Sequence, residues 1–199
     1  MYSIKSIERE VASNWDLNYI ISTLFNKNDW EEKHSQRVSQ LCLKIGMALG
    51  LSESDVNTLS EAGRLHDIGK IILEPELMAK QNDLSPAEIN KLRKHPVVGY
   101  RILNAFDHTM ELAEAVLAHH EKWDGSGYPK GLRGGQIPLA ARVIAAAEAY
   151  DRFFTAAEGE EAEKQAVAAS EMKRLAGVHF DPDVVSALLR SLRDEKDKI

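Results

Sequence analysis

Cysteine is almost missing from this chain: Cys42 is the only one among 199 residues. A single thiol allows no intrachain disulfide, and it excludes a structural zinc site of the thiolate type. A reducing compartment fits this usage. No apolar run reaches the ~18 residues of a spanning helix, and the N-terminus lacks the basic-then-apolar layout of a signal peptide. The expectation is therefore a cytoplasmic protein with no membrane role. Positive charge is also scarce, with 25 Lys and Arg against 31 Asp and Glu and a net charge of −6. The isoelectric point is about 5.7. Without a long basic run, a surface that tracks the phosphates of a nucleic-acid polymer is excluded. A small anionic substrate stays open, because bound divalent ions reverse the local charge. Sustained period-2 alternation, internal repeats and low-complexity tracts are lacking as well, so the sequence predicts no sheet and no solenoid.

What is present is helical periodicity, with 44% hydrophobic residues, enough for one sizeable core and a peripheral helix or lobe. Ile4, Ile7, Val11, Leu17, Ile20, Ile21 and Leu24 mark an amphipathic helix, or two short ones, ahead of a break at Asn26-Lys27-Asn28-Asp29. Val38, Leu41, Cys42, Ile45 and Leu49 form the next stripe, which Gly50 ends. Ser52 caps a helix running to about His66, with Asp55 at the capping-box position. Ser85-Pro86-Ala87-Glu88 gives the same start signal. Helices are also predicted over Glu111 to His120, over Leu139 to Phe154, and after Asp181-Pro182. Residues 121–138, rich in Gly and Pro, form the one long irregular stretch.

Histidine carries the chemistry. His34, His66, His95, His119 and His120 fall at helix ends or beside carboxylates. Neutral imidazole mixed with carboxylate suits iron, manganese, nickel or zinc, and argues against magnesium or calcium alone. Asp67 can turn one oxygen to each of two ions about 3.5–4 Å apart, a clamp suited to in-line displacement at phosphorus. Adjacent helical residues point about 100° apart. His119 and His120 therefore share an ion only at a frayed helix end, which the Asp124-Gly125-Ser126-Gly127 turn supplies.

Three stretches then stand together: Leu65-His66-Asp67-Ile68-Gly69-Lys70, Lys94-His95-Pro96-Val97-Val98-Gly99, and His119-His120-Glu121-Lys122-Trp123-Asp124-Gly125-Ser126-Gly127-Tyr128-Pro129. With Ile137 to Arg142 and Gly177 to Pro182, they resemble the HD-GYP family of metal-dependent phosphodiesterases over roughly His34 to Leu189. The resemblance implies an all-α HD-domain helical bundle with a Gly/Pro-rich loop. Residues 1–28 then form an additional N-terminal helical extension, and residues 29–199 the HD-GYP phosphohydrolase domain. It implies hydrolysis of cyclic di-GMP to linear pGpG, GMP or both, through a metal-activated hydroxide. His34, His66, Asp67, His95, His119 and His120 would be metal ligands, with Asp67 and Lys70 the catalytic pair. Lys70 would sit over the phosphate, and Asp124, Gly125, Gly127, Tyr128 and Arg133 would shape the loop and rim. The Gly-Tyr-Pro loop is associated in the family with GGDEF-domain partners. A homodimer through the N-terminal helix is a further expectation.

This chain departs from the family at three places. The late metal aspartate is replaced by Glu148, which keeps the carboxylate and adds a methylene; Asp151, one turn on, is expected as its substitute or as a partner behind the ligands. The glutamate that holds a third metal in some members, four residues before the first histidine, is Trp30 here. Glu31 stands at the wrong register, so two divalent transition metal ions are expected, iron or manganese, with nickel or zinc as alternatives. An Arg-Pro-Tyr-Arg-like stretch that grips the dinucleotide is replaced by Ala157-Glu158-Gly159-Glu160, leaving Arg152 or Arg133 to compensate. Two other readings follow: a weak or inactive binding module that regulates a partner, and a phosphohydrolase of another nucleotide. Trp123 is expected to pack, and His108 and His179 to stay clear of the metals.

Overall fold

The computed structural model describes residues 17–26, 28–80 and 84–196. The expected helix over Ile4 to Phe25 is seen as α1, residues 17–26; its earlier part, and with it the expected dimer contact of residues 1–16, lies outside the described residues. The other helices are α2 (Asp29–Ala48), α3 (Glu53–Leu65), α4 (Pro75–Ala79), α5 (Pro86–Leu92), α6 (His95–Leu103), α7 (Met110–Ala118), α8 (Leu139–Ala156), α9 (Glu161–Leu175) and α10 (Pro182–Lys196). Tight 3-10 turns span Ile68–Ile72, Asp107–Thr109 and Gly134–Gln136. Among the described residues there is no strand, only an isolated bridge between Ala176 and Phe180. No helix there is long and apolar enough to cross a membrane.

The caps follow the sequence signals. Asn28 opens α2, its Oδ1 accepting from Trp30 N at 3.0 Å and Glu31 N at 3.4 Å. Ser52 Oγ accepts from Asp55 N, and Ser85 with Glu88 closes a full capping box. Asp181 accepts from Asp183 N at 2.8 Å to start α10. Two elements carry no clear sequence signal: α4 is very short, and α6 begins with His95-Pro96 directly after a turn.

One core joins the helices. Val38, Cys42 and Ile45 from α2 meet Leu59 and Ala62 from α3, Leu112 and Val116 from α7, Val143 and Ile144 from α8, and Val184 and Leu188 from α10. Leu17 of α1 is buried in the same core. Small residues set the spacing: a methyl group on Gly63 of α3 would meet Cys42 Sγ at 2.7 Å, so α2 and α3 can lie this close only with glycine there. The alanine-rich α8 runs through the centre, with Ala141, Ala146 and Ala147 fully buried. This brings its carboxylates to the ends of α3 and α7.

Candidate metal centre

The helix ends deliver the histidines. His34 projects from the second turn of α2, His66 and Asp67 follow the last residue of α3, His95 opens α6, and His119 and His120 follow the last residue of α7. The expected frayed end is therefore real: α7 stops at Ala118, freeing the two adjacent imidazoles to turn the same way. All of them are buried except His120, which is half-buried.

A common device orients the rings. Nδ1 of His66 lies 2.8 Å from Gly63 O, that of His95 2.6 Å from Leu92 O, and that of His119 2.6 Å from Val116 O. Each acceptor is the carbonyl three residues back. Donating Nδ1–H leaves Nε2 as a bare lone pair, the tautomer a metal requires. His34 reaches the same state differently, giving its Nδ1 proton to Asp151 Oδ2 at 2.7 Å. Arg37 in turn grips Asp151 through Nε at 2.5 Å and Nη2 at 3.0 Å.

The free nitrogens gather into two sets. His95, His119 and His120 form one, and His34, His66 and Glu148 the other; within each set the donor atoms lie within 4.8 Å of one another. Nε2 of His95 is 3.2 Å from that of His119 and 3.1 Å from that of His120. Lone pairs this close repel unless a cation lies between them. Asp67 stands between the sets, with Oδ2 3.0 Å from His66 Nε2 and Oδ1 3.1 Å from His95 Nε2. His66 Nε2 and both Asp67 oxygens are sealed from solvent and have no hydrogen-bond partner of proper geometry. Orphaned buried atoms of this kind are costly unless a ligand satisfies them. The donor set thus fits divalent metal ions.

The local charges agree. Burial opposes ionisation of Asp67, but the neighbouring His66 and Lys70 outweigh it and hold the carboxyl well below its usual range. Glu148 is likewise held down, burial being overcome by His120 and His66. Burial pushes His119 far below the ordinary imidazole value, and the neighbouring imidazoles act in the same direction. Burial also takes His120 down to about 4, against the pull of Glu148. Both are therefore neutral, ligand-ready imidazoles at neutral pH. His66 is the exception: burial works downward but Asp67 wins, lifting it to about 9, so a metal would have to displace a proton from this ring.

Glu31 belongs to neither donor set. It is buried, and Lys70 Nζ donates to its Oε1 at 2.9 Å and Oε2 at 3.2 Å. The same ammonium lies 2.6 Å from Asp67 Oδ2. Burial and the Asp67 charge raise Glu31 to about 7, in spite of Lys70. The i+3 spacing from Glu31 to His34 puts both on one helical face, a signal that could have placed Glu31 at the site. Trp30 turns its ring onto His34 instead, at 4.9 Å between centroids and 12° between planes. Asp151 stands behind His34, bonded to its Nδ1, and Glu148 lies with His34 and His66.

The loop residues divide. Tyr128 reaches the site, stacking on His120 with centroids 4.9 Å apart, beneath the Arg93 guanidinium. Gly127 is needed for close approach, since any Cβ there would overlap the backbone of His120, Glu121 and Lys122. Gly125 adopts φ +84°, which glycine tolerates best. Asp124 and Arg133 are exposed and are not brought to the histidines; Asp124 accepts from Ser126 N at 2.9 Å and shapes the turn. Glu121 is the loop residue that sequence reasoning left without a role. Buried, it accepts from the backbone N–H groups of Lys130, Gly131 and Leu132 at 2.6, 3.1 and 3.0 Å, tying the loop to the end of α7. Arg37 also went unread. Trp123 packs under Arg142, and His108 is exposed and remote. His179 borders a cavity that also touches His119, His120 and Glu148.

Residues 18–184 match the model of the HD domain. The chain belongs to the HD domain family. Its motifs are those of the HD-GYP group, and its fold is the all-α bundle of that family. The HD domain here is 34% identical over 181 residues to a cyclic di-GMP phosphodiesterase of Thermotoga maritima, covering 89% of this chain and 49% of that protein. It is 38% identical over 157 residues to the cyclic di-GMP phosphodiesterase response regulator RpfG of Xanthomonas campestris, covering 78% of this chain and 42% of that protein. The chain thus spans about half the length, or less, of these curated relatives. Among solved structures, a cyclic GMP-AMP specific phosphodiesterase of Vibrio cholerae superposes with a TM-score of 0.68 at 20% identity, over 89% of this chain and 48% of that one. At that identity the likeness speaks for the fold alone.

Proposed function

We propose that this HD domain hydrolyses a phosphodiester bond of a cyclic dinucleotide, with cyclic di-GMP as the leading substrate and linear pGpG, GMP or both as products. The observation that carries this reading is Asp67, buried and without a hydrogen bond of proper geometry, with one oxygen turned to each of two three-donor sets. The proposed ligands are His34, His66 and Glu148 on one side, His95, His119 and His120 on the other, and Asp67 across both. The proposal is for two ions, iron or manganese before nickel or zinc, because Lys70 already engages the Glu31 carboxylate. Divalent ions held there supply water activation and shield phosphate charge. Lys70 is pinned by Asp67 and Glu31 at the edge of this cluster, where a compact ammonium counters the charge that builds on the phosphoryl oxygens. Tyr128, stacked on His120, closes the rim.

The relatives named above are cyclic di-GMP phosphodiesterases and the Vibrio protein is a cyclic GMP-AMP specific one, so a panel of cyclic dinucleotides is the right substrate set. The test is turnover by anaerobically purified protein loaded with manganese or iron. Loss of turnover in Asp67→Ala with the fold intact supports the reading. Tight binding without products refutes it and favours a regulatory module, a reading that draws on the acidic stretch 157–160. In that case the Gly-Tyr-Pro loop, exposed at Pro129, is the proposed surface for a GGDEF-domain partner.

A further inference from the structure

The cations that the family places after α8 are missing from residues 157–160, and those residues do not line the cavity at the metal cluster. Other cations do. A cavity of about 300 Å³ opens from His119, His120 and Glu148 towards Lys122, His179 and Arg152. Lys122 Nζ lies 3.3 Å from His179 Nε2, and its charge also reaches the exposed Asp124 carboxylate. Burial and the Lys122 charge lower the His179 pKa, which keeps the ring a neutral acceptor for the ammonium. The pair is held by backbone: Trp123 N donates to His179 O and Asp124 N to Val178 O, both at 2.9 Å. Two hydrogen bonds thus clip the loop carrying Lys122 to the turn carrying His179. Arg152 reaches Glu148 Oε1 at 3.3 Å from a largely exposed position. Phe153 and Phe180 complete the wall with half-buried rings.

Resting on the functional reading above, we propose that this cavity is a nucleotide subsite, in which Lys122 binds a phosphate or guanine oxygen of one half of the dinucleotide and Phe153 with Phe180 receive its base. Its volume stands at the lower end of the ~300–1,000 Å³ of small-molecule sites, room for one nucleotide and not for two. An ammonium beside flat apolar rings is the pairing that anionic, aromatic ligands need. His179 is a positioning residue, holding the ammonium towards the metal side. The grip lost at 157–160 is thereby supplied by Lys122.

The experiment is steady-state kinetics with cyclic di-GMP and equilibrium binding of GMP, on metal-loaded wild type, Lys122→Ala, Lys122→Arg and His179→Ala, with metal content measured in each. The expected result is a KM and a GMP Kd raised on the order of tenfold in Lys122→Ala, the loss of one charge-assisted hydrogen bond. Metal content stays unchanged, kcat falls less than KM rises, Lys122→Arg recovers most of the affinity, and His179→Ala lies between. Wild-type turnover with an unaltered KM in Lys122→Ala overturns the subsite and leaves the functional reading intact. Absence of both turnover and GMP binding in metal-loaded wild type overturns both.

Discussion

Asp151→Asn isolates the link between the second turn of α2 and the metal cluster. The native carboxylate is almost fully buried and takes His34 Nδ1–H on one oxygen and the Arg37 guanidinium on both. Asparagine keeps the shape and loses one acceptor. If its NH2 faces Arg37, two donors oppose each other. If it faces His34, the imidazole must present an acceptor at Nδ1 and carry its proton on Nε2, where the metal binds. Either way one charge-assisted bond, worth about 1.5–3 kcal/mol, is lost. Orienting partners of this kind typically change metal affinity by about 10–100-fold, or ~1.4–2.8 kcal/mol. The two estimates agree. The loss should fall on the ion proposed at His34, His66 and Glu148, and spare the one proposed at His95, His119 and His120. Manganese titration against a competing chelator, with metal counting by elemental analysis, reads both sites. Glu148→Ala should strip the same ion more completely, from about two per chain to about one. Unchanged affinity in Asp151→Asn, or a loss in the all-histidine set, refutes the assignment; so does a greater loss in Asp151→Ala than in Glu148→Ala.

Two further outcomes follow from packing and burial. Gly69→Ala would set a methyl group onto the His95 carbonyl oxygen and within 2.5 Å of Gly99 N; thermal unfolding should show a loss at or beyond the ~1–3 kcal/mol of ordinary overpacking, and an unshifted Tm would contradict the close approach of the Ile68–Ile72 turn to α6. Burial pushes the Cys42 thiol above its ordinary value of 9.0; the unfolded chain therefore ionises first, and stability falls as pH rises past about 9, by up to ~1.4 kcal/mol per unit. Cys42→Ala should flatten that alkaline slope relative to wild type in urea titrations, and parallel slopes would refute a buried neutral thiol.

Much of the centre was legible because its residues sit in local signals. His66-Asp67 followed by Gly-Lys, and His119-His120 ahead of a glycine turn, announce themselves within a few positions, and the caps Ser52, Ser85 and Asp181 needed only their neighbours. The parts that were not legible depend on distant contacts. Arg37 matters because α8 lies across α2, 114 residues away in sequence. Glu121 matters because three N–H groups of a later loop fold back onto it. His179 is drawn to the site by a backbone clip to residues 123–124 that no periodicity reveals. Glu31 lay within reach of sequence reasoning, on the face of His34, but its partner Lys70 comes from another element.

The carbonyl three residues behind His66, His95 and His119 has a consequence for assembly. Those rings carry their orienting acceptor within their own turn, so each is aimed as soon as its turn forms, before any helix docks. His34 has no such local guide; its acceptor arrives only when α8 packs against α2. These three histidines thus behave as prefabricated parts, and His34 as the latch that registers that the bundle has closed.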